Sequence, residues 1–274
     1  MRLLFLGDVM GRAGRDAVAE RLPGIIERYG FDFVVVNGEN ASHGKGLTEA
    51  HFNAIRAAGA DIVTLGDHAF DQRETISFIE RETSLVRPIN MPPGTPGRGA
   101  MFVESRGGYR VLVINALGRV FMPPMDDPFR AVEAAVAACP LGEQADAIIV
   151  DFHTEATSEI QAMGHFLDGK VSLVVGTHTH IPTADQRILR GGTALMADAG
   201  MCGDFDSIIG TDTEEPLNRF LTGIPNSRFS PADGEATLCG VAIETDPRTG
   251  LARKVLPVRL GGSLAQAEPD FDQA

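Results

Sequence analysis

Two histidines one residue apart, His178 and His180, follow the apolar run 173–175 and a glycine, Gly176. In extended backbone, residues i and i+2 point the same way, so both imidazoles can aim at one point just beyond a strand. Imidazoles held in that way on a rigid element are what a metal centre needs. The arrangement recurs along the chain. Apolar runs at 3–6, 33–36, 62–65 and 148–150 are followed by Asp8, by Glu39 and Asn40, by Asp67 and His68, and by Asp151 and His153. Taken singly, each has an ordinary reading: an Asp after Gly is a common turn former, and Glu39 and Asn40 suit a solvated loop. Five coincidences with strand ends point instead to one shared centre, because ligands in α/β folds collect beyond the carboxyl ends of the strands.

Carboxylates with imidazoles and no thiolates suit Mn, Fe, Co, Ni or Zn, whereas Mg and Ca prefer oxygen almost throughout. Six groups, Asp8, Glu39, Asp67, His153, His178 and His180, are too many for one catalytic ion with an open position. They suffice for two ions that share a carboxylate. Charge agrees, since three carboxylates against two divalent ions leave one net positive charge, which attracts a singly charged phosphodiester. Two ions roughly 3.5–4 Å apart can hold an activated hydroxide and clamp the oxygens of an in-line displacement.

The elements that must position these groups alternate. A helical stripe of Ala17, Val18, Leu22, Ile25 and Ile26 marks residues 14–29, with a distortion expected at Pro23. Thr48 is placed to cap a helix over 49–58, and further helices are expected at 72–82, 128–138 and 156–167. Antiparallel pairs are expected around Gly107-Gly108, around Gly191-Gly192 and around a turn at 246–250. This mixture reads as an α/β domain with a two-layered sheet core and helices outside. It spans residues 1–262, leaving 263–274 as a loosely structured tail.

A formal charge of -13 argues against a surface that tracks nucleic-acid phosphates. It leaves room for a small phosphorylated substrate, because bound cations change the local field. Cys139, Cys202 and Cys239 are odd in number and widely spaced, so no disulfide framework is suggested. With no basic leader and no apolar run of membrane-spanning length, a soluble cytoplasmic protein away from membranes is expected.

The segments Gly7-Asp8-Val9-Met10-Gly11, Asn37-Gly38-Glu39-Asn40, Gly66-Asp67-His68, Asp151-Phe152-His153 and Gly176-Thr177-His178-Thr179-His180, with 198–203 and 206–210, resemble calcineurin-like metallophosphoesterases. They are more closely similar to the YmdB-like bacterial branch, the 2′,3′-cyclic nucleotide phosphodiesterases. The resemblance runs over nearly the whole chain, to about residue 260. It implies a four-layer α/β/β/α sandwich with a dinuclear metal site at the carboxyl ends of the strands, and a homo-oligomer. The ions would be divalent or mixed-valence, with iron or manganese favoured and zinc, cobalt or nickel as alternatives. By matching positions, Asp8, Glu39 and His180 would hold the first ion. Glu39 would bridge to the second, completed by Asp67, His153 and His178. Asn40 would meet the substrate phosphate or the bound water, and His68 would serve the leaving oxygen as general acid or charge stabiliser. One position departs from the family pattern, which normally has Asn where this chain has Asp67. A carboxylate brings a full charge where an amide offers a neutral carbonyl, so Asp67 should hold its cation more tightly and reduce its Lewis acidity.

The expected activity is therefore that of a metal-dependent phosphodiesterase acting on small cyclic nucleotides, 2′,3′-cyclic favoured, by attack of a metal-bound hydroxide. A phosphomonoesterase or a diesterase for linear oligonucleotides would share the metal site. A metal-stabilised regulatory protein with incidental activity is the non-enzymatic alternative. The partner is a small phosphodiester, without a stable nucleic-acid complex. Outside the constellation, Asp151, Thr179 and Asp198 are candidates to support the ligands, and Arg119 is a candidate for phosphate or base contact. His51, His165 and Cys202 are expected to serve packing, and His43 sits in a loop that can approach the ligand.

Overall fold

A strand that is apolar at every position must be covered on both faces. The computed structural model describes residues 1–272 and shows how that is done. The first half of the chain runs β1 (Arg2–Leu6), β2 (Asp8–Val9), α1 (Gly11–Tyr29), β3 (Phe33–Asn37), α2 (Glu49–Ala57), β4 (Ile62–Thr64), α3 (Arg73–Phe78) and β5 (Leu85–Val86). It continues with β6 (Ala100–Glu104), β7 (Arg110–Leu117), α4 (Pro128–Ala138), β8 (Ala147–His153), α5 (Thr157–Phe166) and β9 (Leu173–Thr177). β10 (Arg187–Ile188), β11 (Ala194–Met196), β12 (Met201–Asp204), α6 (Glu214–Thr222), β13 (Ala236–Thr245) and β14 (Ala252–Leu260) follow.

One sheet has the order β2-β12-β13-β1-β3-β4-β5, with β14 on β13. In it β1, β3, β4 and β5 are parallel. The other has the order β10-β11-β9-β8-β7-β6, with β7, β8 and β9 parallel. Alternation along the strands builds three cores. Leu3, Phe5, Phe33 and Val35 pack with Val113, Ile149 and Val175 between the sheets. Their chain neighbours Leu4, Leu6, Val34 and Val36 pack outward with Val18, Leu22, Phe52 and Ile55 of α1 and α2. On the far side Ile148, Val150 and Val174 pack with Val132, Ile160 and Met163 of α4 and α5. The four layers are helix, sheet, sheet and helix.

Local signals behave as their chemistry requires. The Thr48 hydroxyl accepts from the His51 N–H to start α2, and Asp127 caps α4 ahead of Pro128. Pro23 does not break α1, because Pro23 and Gly24 sit on its exposed face while Leu22 and Ile25 keep the buried stripe. α3 is shorter than the expected 72–82, since the chain turns after Phe78 and so buries both Phe78 and Ile79. In the stretch 263–272, Ala267 pairs with Arg259, and Phe271 packs edge-on against Phe31 beneath the Arg2 guanidinium. Gln273 and Ala274 lie outside the described residues.

Candidate metal centre

The carboxyl ends of β1, β3, β4, β8 and β9 open on one edge of the sandwich, and the polar residues there are placed by their own neighbours. Asn37, the last residue of β3, accepts the Glu39 N–H at 3.1 Å and donates to Asp151 at 3.1 Å. Asp67 follows β4 through Gly66. A Cβ at Gly66 would lie 2.2 Å from Glu39 Oε2 and 2.5 Å from His153 Nε2, so only glycine lets the chain pass. His153 closes β8 and is fully buried. His178 and His180 follow β9 with φ of 112° and 67°, backbone conformations that cost energy in an L-residue and recur at functional sites.

Ligand atoms of Glu39, Asp67, His153 and His178 all lie within 4.8 Å of one another. His153 Nε2 is 3.1 Å from both Glu39 Oε1 and Asp67 Oδ1, and 3.0 Å from His178 Nδ1. Asp8 and His180 stand beside this group. Asp8 Oδ2 accepts from the His178 N–H at 3.2 Å, and its Oδ1 is 4.0 Å from His153 Nδ1. His180 Nε2 is 3.0 Å from Asn40 Nδ2, which itself donates to Glu39 Oε1 at 3.3 Å. Glu39 thus contacts His153 directly and is linked to His180 through Asn40. His68 donates its backbone N–H to Glu39 Oε2 at 3.2 Å, and its ring lies with Nδ1 3.0 Å from Asp71 and Nε2 3.9 Å from Asp67.

Hydrogen bonds assign the histidine nitrogens. The Thr177 hydroxyl donates to Asp151 at 2.7 Å, so it accepts from His153 Nδ1 at 2.8 Å and leaves Nε2 for the cluster. His178 gives Nε2 to Glu155 at 3.2 Å and turns Nδ1 inward. His180 gives Nδ1 to the Ile209 carbonyl at 2.8 Å and turns Nε2 inward. Each imidazole therefore has its outer N–H held by an acceptor, as metal-ligating histidines do.

The electrostatics call for cations. Burial, with the charge of Glu39, pushes Asp8 up to about 7 against the pull of His153. Burial acts on Glu39 in the same sense, yet contact with His153 outweighs it and holds Glu39 below the usual carboxylate range. The two buried acids differ because His153 lies 3.1 Å from Glu39 but 4.0 Å from Asp8. Burial would lower His153, but Glu39, Asp67 and Asp8 together raise it well above an ordinary imidazole. Asp8 Oδ1 and Asn40 Oδ1 are buried acceptors without a hydrogen-bond partner. Acceptors left over among converging acids and inward-facing imidazoles fit borderline divalent cations.

Support for the 178–180 loop comes from Asp198, which accepts from Thr179 N at 2.9 Å, Thr179 Oγ1 at 2.8 Å and Gly200 N at 2.7 Å. Asp198→Ala is expected to weaken metal affinity about 10–100-fold by releasing that loop. Chelator competition measures it, and an unchanged affinity would show that the loop holds its shape unaided.

Other candidates lie elsewhere. Arg119 reaches Asp127 at 3.7 Å, and His51 bonds Ser42 at 2.7 Å. His43 lines a separate small cavity with Arg12 and Arg15. Burial pushes the Cys202 thiol up to about 12, which suits a packing role. Three groups to which the sequence assigned no role join the site: Glu155 and Asp71, which hold the outer nitrogens of His178 and His68, and the backbone carbonyl of Ile209. The acids had a faint signal, lying two and three residues beyond His153 and His68.

The sequence profile described as YmdB-like protein matches residues 4–258, which contain the whole cluster and its supports. The chain belongs to the YmdB-like family. This YmdB-like chain is 47% identical over 255 residues to a Bacillus subtilis protein named 2′,3′-cyclic-nucleotide 2′-phosphodiesterase, covering 93% of this chain and 95% of that one. Among solved structures, a hypothetical protein from Thermus thermophilus superposes with a TM-score of 0.89 at 43% identity, covering 96% of this chain and 100% of the other. A Mycoplasma pneumoniae protein described as a novel phosphatase gives 0.88 at 33% identity, covering 100% and 96%. The YmdB-like sandwich and the cluster at its strand ends thus go together in this chain.

Proposed function

We propose that this protein is a metal-dependent phosphodiesterase that hydrolyses small cyclic nucleotides, with 2′,3′-cyclic phosphates favoured. The observation that carries the reading is the convergence of Glu39, Asp67, His153 and His178 within 4.8 Å, beside a cavity of about 580 Å³. The name of the Bacillus subtilis relative supports the substrate class. Glu39, Asp67, His153 and His178 would hold one ion, and Asp8, His180 and the shared Glu39 a second. Iron or manganese fits this donor set best, then zinc, cobalt or nickel. When bound, two such cations neutralise phosphate charge and lower the pKa of a water.

The remaining chemistry belongs to the side chains. Asn40 lines the cavity and presents its amide to phosphate oxygens. With Nδ1 of His68 taken by Asp71, Nε2 is the nitrogen that can pass a proton to the departing ribose oxygen. No serine or cysteine nucleophile is required, so direct displacement with inversion at phosphorus is expected. The test is elemental analysis followed by a metal-by-substrate matrix of 2′,3′-cyclic AMP, 3′,5′-cyclic AMP and a phosphomonoester. The 2′,3′-cyclic ester should have the highest kcat/KM, and preference for the monoester would overturn the assignment.

Asp67 stands where the resemblance leads one to expect Asn. Its two hydrogen bonds, from His153 and His178, hold it well below the usual carboxylate range despite burial. Removing one unit charge a few ångströms from a divalent ion costs more than 1 kcal/mol even with strong screening, so Asp67→Asn should weaken that ion's binding at least about tenfold. Turnover per bound ion should not fall. Identical affinity and activity in the variant would remove this idea.

No helix among the described residues is long and apolar enough to cross a membrane. The catalytic unit is residues 1–262. Three unpaired cysteines support a cytoplasmic setting, and the exposed Leu221 and Ile224 support self-association. The acidic surface favours small substrates over a stable nucleic-acid complex.

A further inference from the structure

The cavity beside the cluster has both polar and apolar lining. Glu39, His68 and His178 line it together with Ile209, Phe220 and Phe229. Phe220, on α6, is 84% exposed, and Phe229 is 47% exposed. Neither ring belongs to any of the three cores. An aromatic ring left bare in a cavity lined with metal-ligand candidates calls for a ligand surface.

Phe229 is held in place. The Arg219 guanidinium lies 4.1 Å from its ring centroid and covers one face. Arg219 is in turn held by Glu215 at 2.6 Å, which also accepts the N–H groups of Asn226 at 3.0 Å and Ser227 at 2.9 Å. The segment carrying Phe229 is therefore tied to the helix carrying Phe220. Ile209 links this wall to the cluster, since its carbonyl fixes His180.

We propose that Phe220 and Phe229 form a nucleobase subsite, on which the base of a bound nucleotide stacks while its phosphate meets the metal-ligand cluster. The inference rests on the phosphodiesterase reading above and extends it to the part of the substrate that is not cleaved. A phosphate with a ribose has no face to set against these rings, whereas a nucleotide carries a charged group at one end and a π-face at the other. Stacking is tolerant of base identity because every base has that face. The site should accept purines and pyrimidines alike and discriminate against esters without a base.

The experiment compares kcat/KM for 2′,3′-cyclic AMP with that for the 2′,3′-cyclic phosphate of methyl riboside, which lacks a base. Phe220→Ala with Phe229→Ala should lower the ratio at least tenfold, mainly through KM for the nucleotide. Leu221→Ala, on the same helix but outside the cavity, should leave the ratio as it is. An unchanged ratio in the double variant overturns the subsite. So does a changed assembly state with the ratio intact, which would make these rings a contact between copies. Wild-type turnover of the base-free ester tests the phosphodiesterase reading separately. The chain has no tryptophan, so Phe229→Trp carries the sole indole. Its fluorescence should be quenched saturably by adenosine monophosphate and not by ribose 5-phosphate. Quenching by neither, or by both equally, overturns the proposal even if no ester is hydrolysed.

Discussion

Replacing His153 by Ala is expected to lower phosphodiester turnover at least about a thousandfold and to reduce the bound metal by one ion per chain. The size follows from the several kcal/mol that a clamping cation supplies to a developing phosphoryl charge, each 1.36 kcal/mol being tenfold. His153 Nε2 stands at the middle of the cluster, 3.1 Å from Glu39 and Asp67 and 3.0 Å from His178. Its removal takes one donor from the ion and the nearest positive charge from the three acids. The chelated variant should therefore also melt below the chelated wild type, because buried carboxylates left unpaired are costly. His153→Gln preserves most of the volume and separates loss of packing from loss of the ligand. Metal content measured by elemental analysis decides the matter. A full complement of ions with activity within tenfold of wild type would sink the assignment.

His68→Ala should lose about 10²–10⁴-fold in kcat, the range for a positioned general acid, while metal content stays at the wild-type value. The ring lies outside the four-ligand cluster and is fastened by Asp71, so truncating it leaves the donors of the ions in place. A proton donor matters most when the leaving oxygen is basic. The loss should be large for a ribose 2′,3′-cyclic ester and much smaller for a p-nitrophenyl diester, whose phenolate leaves unaided. Equal losses on both substrates would show that His68 acts through charge or binding and not through proton transfer. Loss of metal in the variant would place it among the supports of the cluster.

The strands were legible because their physics is local. Runs such as 33–36 are short, apolar throughout and rich in valine, which suits a strand covered on both faces. The hairpin at Gly107-Gly108 was equally plain, Glu104 pairing with Arg110 across it. Helix ends were less so: α3 stops at Phe78, where burial of two adjacent residues outweighs helical continuity. Candidate ligands stood out because acids and histidines interrupted the apolar pattern at strand ends. Their supports did not. Asp71 and Glu155 look like ordinary surface acids in the sequence, and a backbone carbonyl such as that of Ile209 has no sequence signature at all.

By itself, the sequence determined the alternation of strands and helices, the family, and the kinds of ligand atom available, since hydrophobic period and side-chain chemistry are properties of neighbours along the chain. Only the tertiary structure decided which nitrogen of each histidine faces inward, that Glu39 lies between Asn40 and His153, and that Phe220 and Phe229 share a cavity with them. Those are relations between residues as many as 190 positions apart, as for Glu39 and Phe229. They are set by how two sheets stack and by which loops their common edge brings into reach, and no local pattern encodes them.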